Sequence, residues 1–303
     1  MSCDPSAQQG GIEIQVAFKG KEHEKAGMDD HHHSPRRQAG RVIEFHTRHV
    51  AQELLDSWPE IRARVRSARR LAVFLDFDGT LVMLRRRPAD VRVPPQTMRI
   101  LTRLAAHRKT LVAIVSGRRL RDIQALMPVA GLRYFGLHGA EREDSRAALG
   151  KRTRRALARA KREARAELGV LPGIWLEDKV LSLAVHYRGA TPAFIREAET
   201  ALLRLLAPLG GCLTVLKGEK VWEILPQEIS GKGPTVRALL DGLTGSTVAI
   251  YIGDDDSDES AFAALPGQIT VQVGKKRRTN AQFHLPGPLQ VVRFLTRLEK
   301  EMP

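Results

Sequence analysis

The residues best suited to chemistry in this 303-residue chain are two sets of acids, each placed where a strand should end. The first is Asp76-Phe77-Asp78-Gly79-Thr80, which follows the uncharged apolar run 71–75. The second is Gly253-Asp254-Asp255-Asp256-Ser257-Asp258-Glu259, with five acids in six residues after the apolar run 247–252. Short apolar runs of this kind read as parallel strands buried on both faces. In open α/β sheets ligands bind at the carboxyl ends of such strands, and Gly79 lets the chain turn away sharply there. Carboxylates this close repel unless a cation or proton lies between them. A hard divalent ion with oxygen ligands, Mg²⁺ above all, suits them. A simple Asp-Gly turn would account for Asp78-Gly79 alone. The acid two residues earlier and the distant second cluster favour the ion.

Three further positions fit an anion. The apolar run 110–115 ends at Ser116-Gly117-Arg118, where a hydroxyl and the amides opening a helix make either an anion-binding corner or an ordinary Ser N-cap. Ile114 stands where a serine-hydrolase elbow needs its first glycine, which excludes that chemistry. Lys232 lies between two glycines at a helix start, where a lysine opposes the helix dipole and calls for a compensating anion such as phosphate. Pro226 occupies the place of the first glycine of a nucleotide-binding P-loop, so that motif is absent. His138, between Leu137 and Gly139, is a catalytic base or a positioning residue in a turn.

The elements that must hold these groups follow from periodicity. Residues 1–40 mix Gly, Gln, His and charges without period and read as a disordered extension, including the solvated run His31-His32-His33. Residues 41–69 form a helical lead-in, with Val42, Phe45, His49, Val50, Leu54 and Leu55 at helical spacing and an interruption at Trp58-Pro59. Strands and helices alternate over 70–143 and again over 229–303, giving an α/β fold, a doubly wound, Rossmann-like parallel sheet. Between them, residues 144–228 form an inserted α+β unit. It comprises a basic helix within 146–169 with an apolar stripe of Leu157, Ala160, Ala164 and Leu168, a hairpin turning near Asp178-Lys179, a helix over 191–207, and strands at 213–216 and 221–225.

Composition narrows the class. A formal charge of +15 raises nucleic-acid binding, but the basic helix lacks interleaved aromatics for base stacking and reads as a solvated face. Two cysteines, Cys3 and Cys212, exclude a disulfide framework, and no apolar run has the length of a membrane span. The expectation is a cytoplasmic, monomeric protein acting on a small molecule, with no nucleic-acid or membrane partner.

In order and setting, Asp76-x-Asp78-Gly79-Thr80, Ser116-Gly117-Arg118, Lys232 and Gly253-Asp254-Asp255-x-x-Asp258 resemble the four motifs of the haloacid dehalogenase (HAD) superfamily, over roughly residues 70–300. The inserted unit resembles a type C2B cap. Within that class Gly136-Leu137-His138-Gly139-Ala140-Glu141, Glu177-Asp178-Lys179, His186-Tyr187-Arg188, Gly218-x-x-Val221-x-Glu223-x-x-Pro226 and the Tyr251–Phe262 stretch resemble the trehalose-6-phosphate phosphatases. The resemblance implies a phosphoric monoester hydrolase in trehalose biosynthesis. Asp76 would be the nucleophile that becomes an aspartyl phosphate, and Asp78 the general acid and base. Ser116 and Lys232 would hold phosphate oxygens. Mg²⁺ would be bound by Asp76, the Asp78 main-chain carbonyl and Asp254, with Asp255 and Asp258 in support. Thr80, Gly117, Arg118, His138, Glu177, Lys179, Arg188 and Glu223 would contact substrate, the cap residues reading sugar hydroxyls. The chain departs from the family pattern at Glu219 and Leu225, where basic residues are usual; Lys217 and Lys220 stand nearby. A C2B phosphatase for sucrose phosphate or mannosylphosphoglycerate is the alternative, which the cap residues disfavour.

Overall fold

The structure, a computed structural model, describes residues 48–302 apart from 86, 147, 210, 219 and 230; the expected extension at 1–40, Val42, Phe45 and Glu219 lie outside them. Among the described residues one nine-stranded sheet runs, edge to edge, Gln52–Glu53, Phe283–Leu285, Ile269–Val273, Thr247–Gly253, Arg70–Leu75, Thr110–Val115, Arg133–Gly136, Glu141–Arg142 and Ser145–Arg146. The first seven are parallel and the last two turn back antiparallel. The central strand shows why an unbroken apolar run was needed. Leu71, Val73 and Leu75 enter one hydrophobic cluster while Ala72 and Phe74 enter another, so both faces are covered. Helices Pro95–Ala106 and Pro288–Glu299 bury Leu101, Leu104, Phe294 and Leu295 in the first cluster, and helix Lys232–Asp241 buries Val236 in the second. Each such leucine or phenylalanine contributes roughly 1.5–3 kcal/mol through the apolar surface it removes from water.

After Arg70–Leu75 the chain builds outward to one side and then returns on the other, so the strand order reverses between Arg70–Leu75 and Thr247–Gly253. Leu75 pairs with both Ile252 and Ile114, and the Asp76 amide extends the ladder to the Ile252 carbonyl at 2.9 Å. Register therefore brings Asp76, Ser116 and the acids after Gly253 to one switch-point crevice.

The insertion forms a separate four-stranded antiparallel sheet, ordered Leu213–Gly218, Val221–Pro226, Leu183–His186 and Trp175–Asp178. Helices Lys151–Glu167 and Pro192–Leu206 cover one face of it around Ala160, Leu183, Val185, Leu202 and Ile224. The Lys151–Glu167 helix buries Ala156, Leu157, Ala160 and Ala164, as its apolar stripe predicts.

Two expectations are corrected. The lead-in is not helical up to Leu55: His49–Val50 pairs with Arg278–Thr279, and Gln52–Glu53 is an edge strand. Leu54 is buried but Val50 is 63% exposed, so the spacing of the two does not mark a buried helical face. Trp58-Pro59 starts the helix Trp58–Ser67 instead of interrupting one, because proline lacks only an amide that the first turn leaves unpaired anyway. The cap hairpin also turns later than predicted. Asp178 pairs with Leu183, so the turn holds Lys179, Val180, Leu181 and Ser182. Val180 takes φ +72 there, an unusual cost for a β-branched residue.

Candidate active site

Asp76 emerges buried from the central strand, and Lys232, 2% exposed at the first turn of its helix, donates to Asp76 Oδ1 at 2.7 Å and Asp258 Oδ1 at 2.8 Å. Lys232 can sit so deep because Gly233 lets its helix approach the next one: a Cβ there would lie 2.3 Å from the Ser260 carbonyl. Asp258 is fully engaged. Its Oδ1 also accepts from Tyr251 Oη at 2.7 Å, and its Oδ2 takes the amides of Asp254 and Asp255, both at 3.0 Å. Asp255 accepts from the Ser257 amide at 2.8 Å and its hydroxyl at 2.5 Å. Among the described residues the Asp254 carboxylate receives no hydrogen bond. It leans over Gly79, where a Cβ would meet its Oδ2 at 2.0 Å; that glycine, at φ +82, is required.

Oxygen atoms of Asp76, Asp254 and Asp258 lie within 4.8 Å of one another, an acid cluster that could bind a metal ion. Burial, opposed by Lys232 and reinforced by Asp258 and Asp255, raises the Asp76 carboxyl to about 7. Burial, with Asp76, Asp255 and Asp258 beside it, also raises Asp254 well above the usual carboxylate range. One lysine does not neutralise this group, and a divalent cation would. With Asp258 already satisfied, Asp76 and Asp254 are the carboxylates free to face it.

Asp78 is held differently. Arg118 grips its carboxylate with two hydrogen bonds, at 2.5 and 2.7 Å, while its guanidinium lies 5.4 Å over the Phe77 ring and donates to the Pro88 carbonyl at 3.1 Å. Ser116 Oγ accepts from the Arg118 amide at 3.2 Å. Ser116, Gly117 and Arg118 thus stand beside the two acids, Arg118 with its charge on Asp78.

Glu223 is the hub of a second constellation, joining the cap to the sheet below. Its Oε2 meets His138 Nε2 and Lys179 Nζ, each at 3.1 Å, and its Oε1 accepts from Ser182 Oγ at 2.7 Å. Lys179 reaches across to the Gly117 carbonyl at 2.9 Å. Burial alone would raise the Glu223 carboxyl, yet the charges of Lys179 and His138 and the bonds from His138 and Ser182 hold it well below the usual range. His138 sits in a tight turn at φ +57, with its Nδ1 buried and unpartnered. Glu177 accepts from His186 Nε2 at 2.9 Å.

These groups share one cavity of about 540 Å³. Asp76, Asp78, Ser116, Gly117, Arg118, His138, Glu177, Lys179, Arg188, Glu223, Lys232, Asp254 and Asp255 all line it. Thr80 does not; it is fully buried and its hydroxyl has no partner. Asp258 stands behind the cavity wall, fully buried. Sequence reasoning missed Ser182, Tyr251 as a partner of Asp258, and Trp175, which stacks on His186 at the cavity wall. Tyr251 and Trp175 were within reach of alternation along their strands, given the right hairpin register. Ser182 carried no signal.

The sequence profile of the trehalose-phosphatase family matches residues 74–288, which span the acid clusters, the cap and Lys232. The chain belongs to the trehalose-phosphatase family. It is 35% identical over 253 residues to the trehalose-phosphate phosphatase of Mycobacterium tuberculosis (strain H37Rv), covering 78% of this chain and 63% of that protein. Against the Mycobacterium leprae trehalose-phosphate phosphatase the identity is 34% over 261 residues, covering 78% and 59%. The chain therefore spans less than two thirds of the curated relatives it matches. Its fold is similar to the C-terminal domain of Candida albicans trehalose-6-phosphate phosphatase, with TM-score 0.72 and 22% identity over 84% of this chain and 99% of that one. A trehalose-6-phosphate phosphatase related protein gives TM-score 0.63 at 23% identity over 76% and 97%. The architecture of this trehalose-phosphatase family member is thus the HAD type, a mainly parallel central sheet with an inserted cap. Among the described residues no helix is long and apolar enough to cross a membrane.

Proposed function

We propose that this protein hydrolyses trehalose 6-phosphate to trehalose and phosphate, through an aspartyl phosphate on Asp76 and with Mg²⁺ as cofactor. One observation carries the reading: Asp76, Lys232 and Asp254, suited to a phosphate, open into the same cavity as Glu177, Lys179, Arg188 and Glu223 of the cap, suited to hydroxyl groups. Asp76 attacks phosphorus in line with the departing sugar oxygen, and Asp78 protonates that oxygen and later deprotonates the hydrolytic water. Lys232, already 2.7 Å from Asp76 Oδ1, and Ser116 hold the non-bridging oxygens, where transition-state charge is spread. Asp76, the Asp78 main-chain carbonyl and Asp254 would hold Mg²⁺, which lowers the repulsion between an anionic nucleophile and a phosphate dianion. Asp255 and Asp258 hold the loop that carries Asp254. Buried polar groups of the cap discriminate sugars strongly, since a missing hydroxyl leaves them unpaired. We place the activity in the cytoplasm, in a monomer.

The test is phosphate release from a panel of sugar phosphates with and without EDTA, repeated with Asp76→Asn. Trehalose 6-phosphate should be the preferred substrate, EDTA should abolish turnover until Mg²⁺ is restored, and Asp76→Asn should be inactive while folded. Preference for sucrose phosphate or mannosylphosphoglycerate would replace the substrate; turnover by Asp76→Asn would remove the mechanism.

A further inference from the structure

The cap sheet turns its uncovered face to the cavity, and its register sorts that face into two rows. Opposed residues run Glu177, Ala184, Glu223 and Leu216 across the strands in one row, and Trp175, His186, Val221 and Gly218 in the next. All of them except Ala184 line the cavity. The first row carries the two carboxylates to which the proposed function gives sugar hydroxyls. The second row carries no acid, and nothing in that mechanism uses it.

What the second row offers is a flat aromatic surface. The rings of Trp175 and His186 stack with centroids 3.8 Å apart and planes within 5°. Glu177 Oε2, 2.9 Å from His186 Nε2, fixes the imidazole in that plane, so the same carboxylate serves both rows. Trp175 remains 40% exposed, the one aromatic among the large apolar side chains left exposed in the described residues. An indole so placed has an apolar face to cover and an electron-rich π cloud to offer.

We propose that the Trp175–His186 stack is a platform for the C–H face of a pyranose ring, while Glu177 beside it accepts from that ring's hydroxyls. This rests on the proposed function for which sugar is bound, but the platform makes a claim of its own: a sugar ring lies against Trp175. A pyranose matches the site in both respects, with a rim of hydroxyl groups for the acidic row and a face of weakly positive C–H groups for the indole. Trp175 is then a specificity-determining residue that leaves the phosphoryl chemistry to the switch-point crevice.

The experiment uses the full chain with Mg²⁺ and three proteins: wild type, Trp175→Leu and Trp175→Phe. Trehalose is titrated while tryptophan fluorescence is followed, and steady-state kinetics are measured on trehalose 6-phosphate and on ethyl phosphate, which has no ring. Trehalose should shift the emission of wild type and leave that of Trp175→Leu unmoved. In Trp175→Leu, KM for trehalose 6-phosphate should rise about five- to tenfold with kcat little altered, the size expected of one ring contact. The ratio of kcat/KM for the disaccharide phosphate to that for ethyl phosphate should fall by the same factor, and Trp175→Phe should recover most of it. An equal fluorescence response in wild type and Trp175→Leu, or an unchanged KM, overturns the platform. If wild type turns over no disaccharide phosphate, the functional reading fails by itself, and the platform is decided by fluorescence titration with trehalose, sucrose and glucose: silence from Trp175 to all three sinks it.

Discussion

Replacing Glu223 by alanine removes the partner that three buried groups share. Lys179 Nζ keeps only the Gly117 carbonyl at 2.9 Å, while His138 Nε2 and Ser182 Oγ lose bonds of 3.1 and 2.7 Å. Removing one side of a buried ion pair costs about 3–5 kcal/mol, and the bond that Lys179 retains places this case near 3. At about 1.4 kcal/mol per decade, that weakens the joint between cap and sheet by roughly two orders of magnitude. Urea unfolding should show the loss at pH 7, and kcat/KM should fall further for trehalose 6-phosphate than for ethyl phosphate. Glu223→Gln, which keeps the shape without the charge, should lie between the two. The pH dependence has a fixed sign. The folded-state carboxyl of Glu223 lies below its unfolded value, so its stabilisation is complete above the ordinary Glu range near 4.3 and is lost as pH falls toward the folded value. The gap between wild type and Glu223→Ala should therefore narrow below about pH 4. A gap that stays constant down to pH 3, or one under about 0.5 kcal/mol at pH 7, would refute the argument.

Asp258→Asn puts an amide where four donors converge, so it should weaken Mg²⁺ activation by about 10- to 100-fold, read from phosphate release against Mg²⁺ concentration. Lys161, on the buried face of the basic helix, donates to Asp178 Oδ1 at 2.5 Å and to the Val180 carbonyl at 2.7 Å, clamping the turn that presents Lys179. Lys161→Met should raise KM for the sugar phosphate severalfold and lower kcat with it, since Lys179 also bonds the Gly117 carbonyl, and Lys161→Arg should restore part of both; unchanged kinetics would refute the clamp. Gly79→Ala sets a Cβ against Asp254 at a backbone angle that suits glycine, so it should cut turnover at saturating substrate by more than tenfold and lower the urea midpoint as well.

The crevice was legible because each part of it was local: an apolar run specifies a buried strand, and the residue after it must face the carboxyl edge. Asp76, Ser116 and Asp254 needed no knowledge of long-range packing beyond parallel strand order. The cap was less legible because its chemistry depends on register. Placing the hairpin turn near Asp178-Lys179 sets Trp175 opposite Ser182, whereas the observed turn, with Val180 at φ +72, sets it opposite His186 and creates the stack. No local rule predicts a valine there, since Lys161, nineteen residues away on another element, holds the strained turn. The lead-in failed for the converse reason, as Val50 and Leu54 are spaced like a helix face while flanking an edge strand whose partner lies more than two hundred residues later.

The cap is bonded to the crevice below it through Glu223 and does not float above it. Glu223 draws its partners from both layers, His138 from the turn after Arg133–Gly136 and Lys179 from the cap hairpin. Lys179 in turn bonds the Gly117 carbonyl, the residue next to Ser116, and the His138 amide donates to the Ser116 carbonyl at 2.9 Å. Lys179 is therefore one hydrogen bond, and Glu223 two, from the backbone that carries the Ser116 hydroxyl. Moving the cap breaks the Glu223 network and loosens Ser116 together, so a ligand that fills only one half of the cavity leaves the other half unsupported. On the proposed function, selectivity should appear in kcat as well as in KM: small phosphate esters should be slow even when saturating, because they add no contact to the cap residues that brace the corner proposed to bind phosphate.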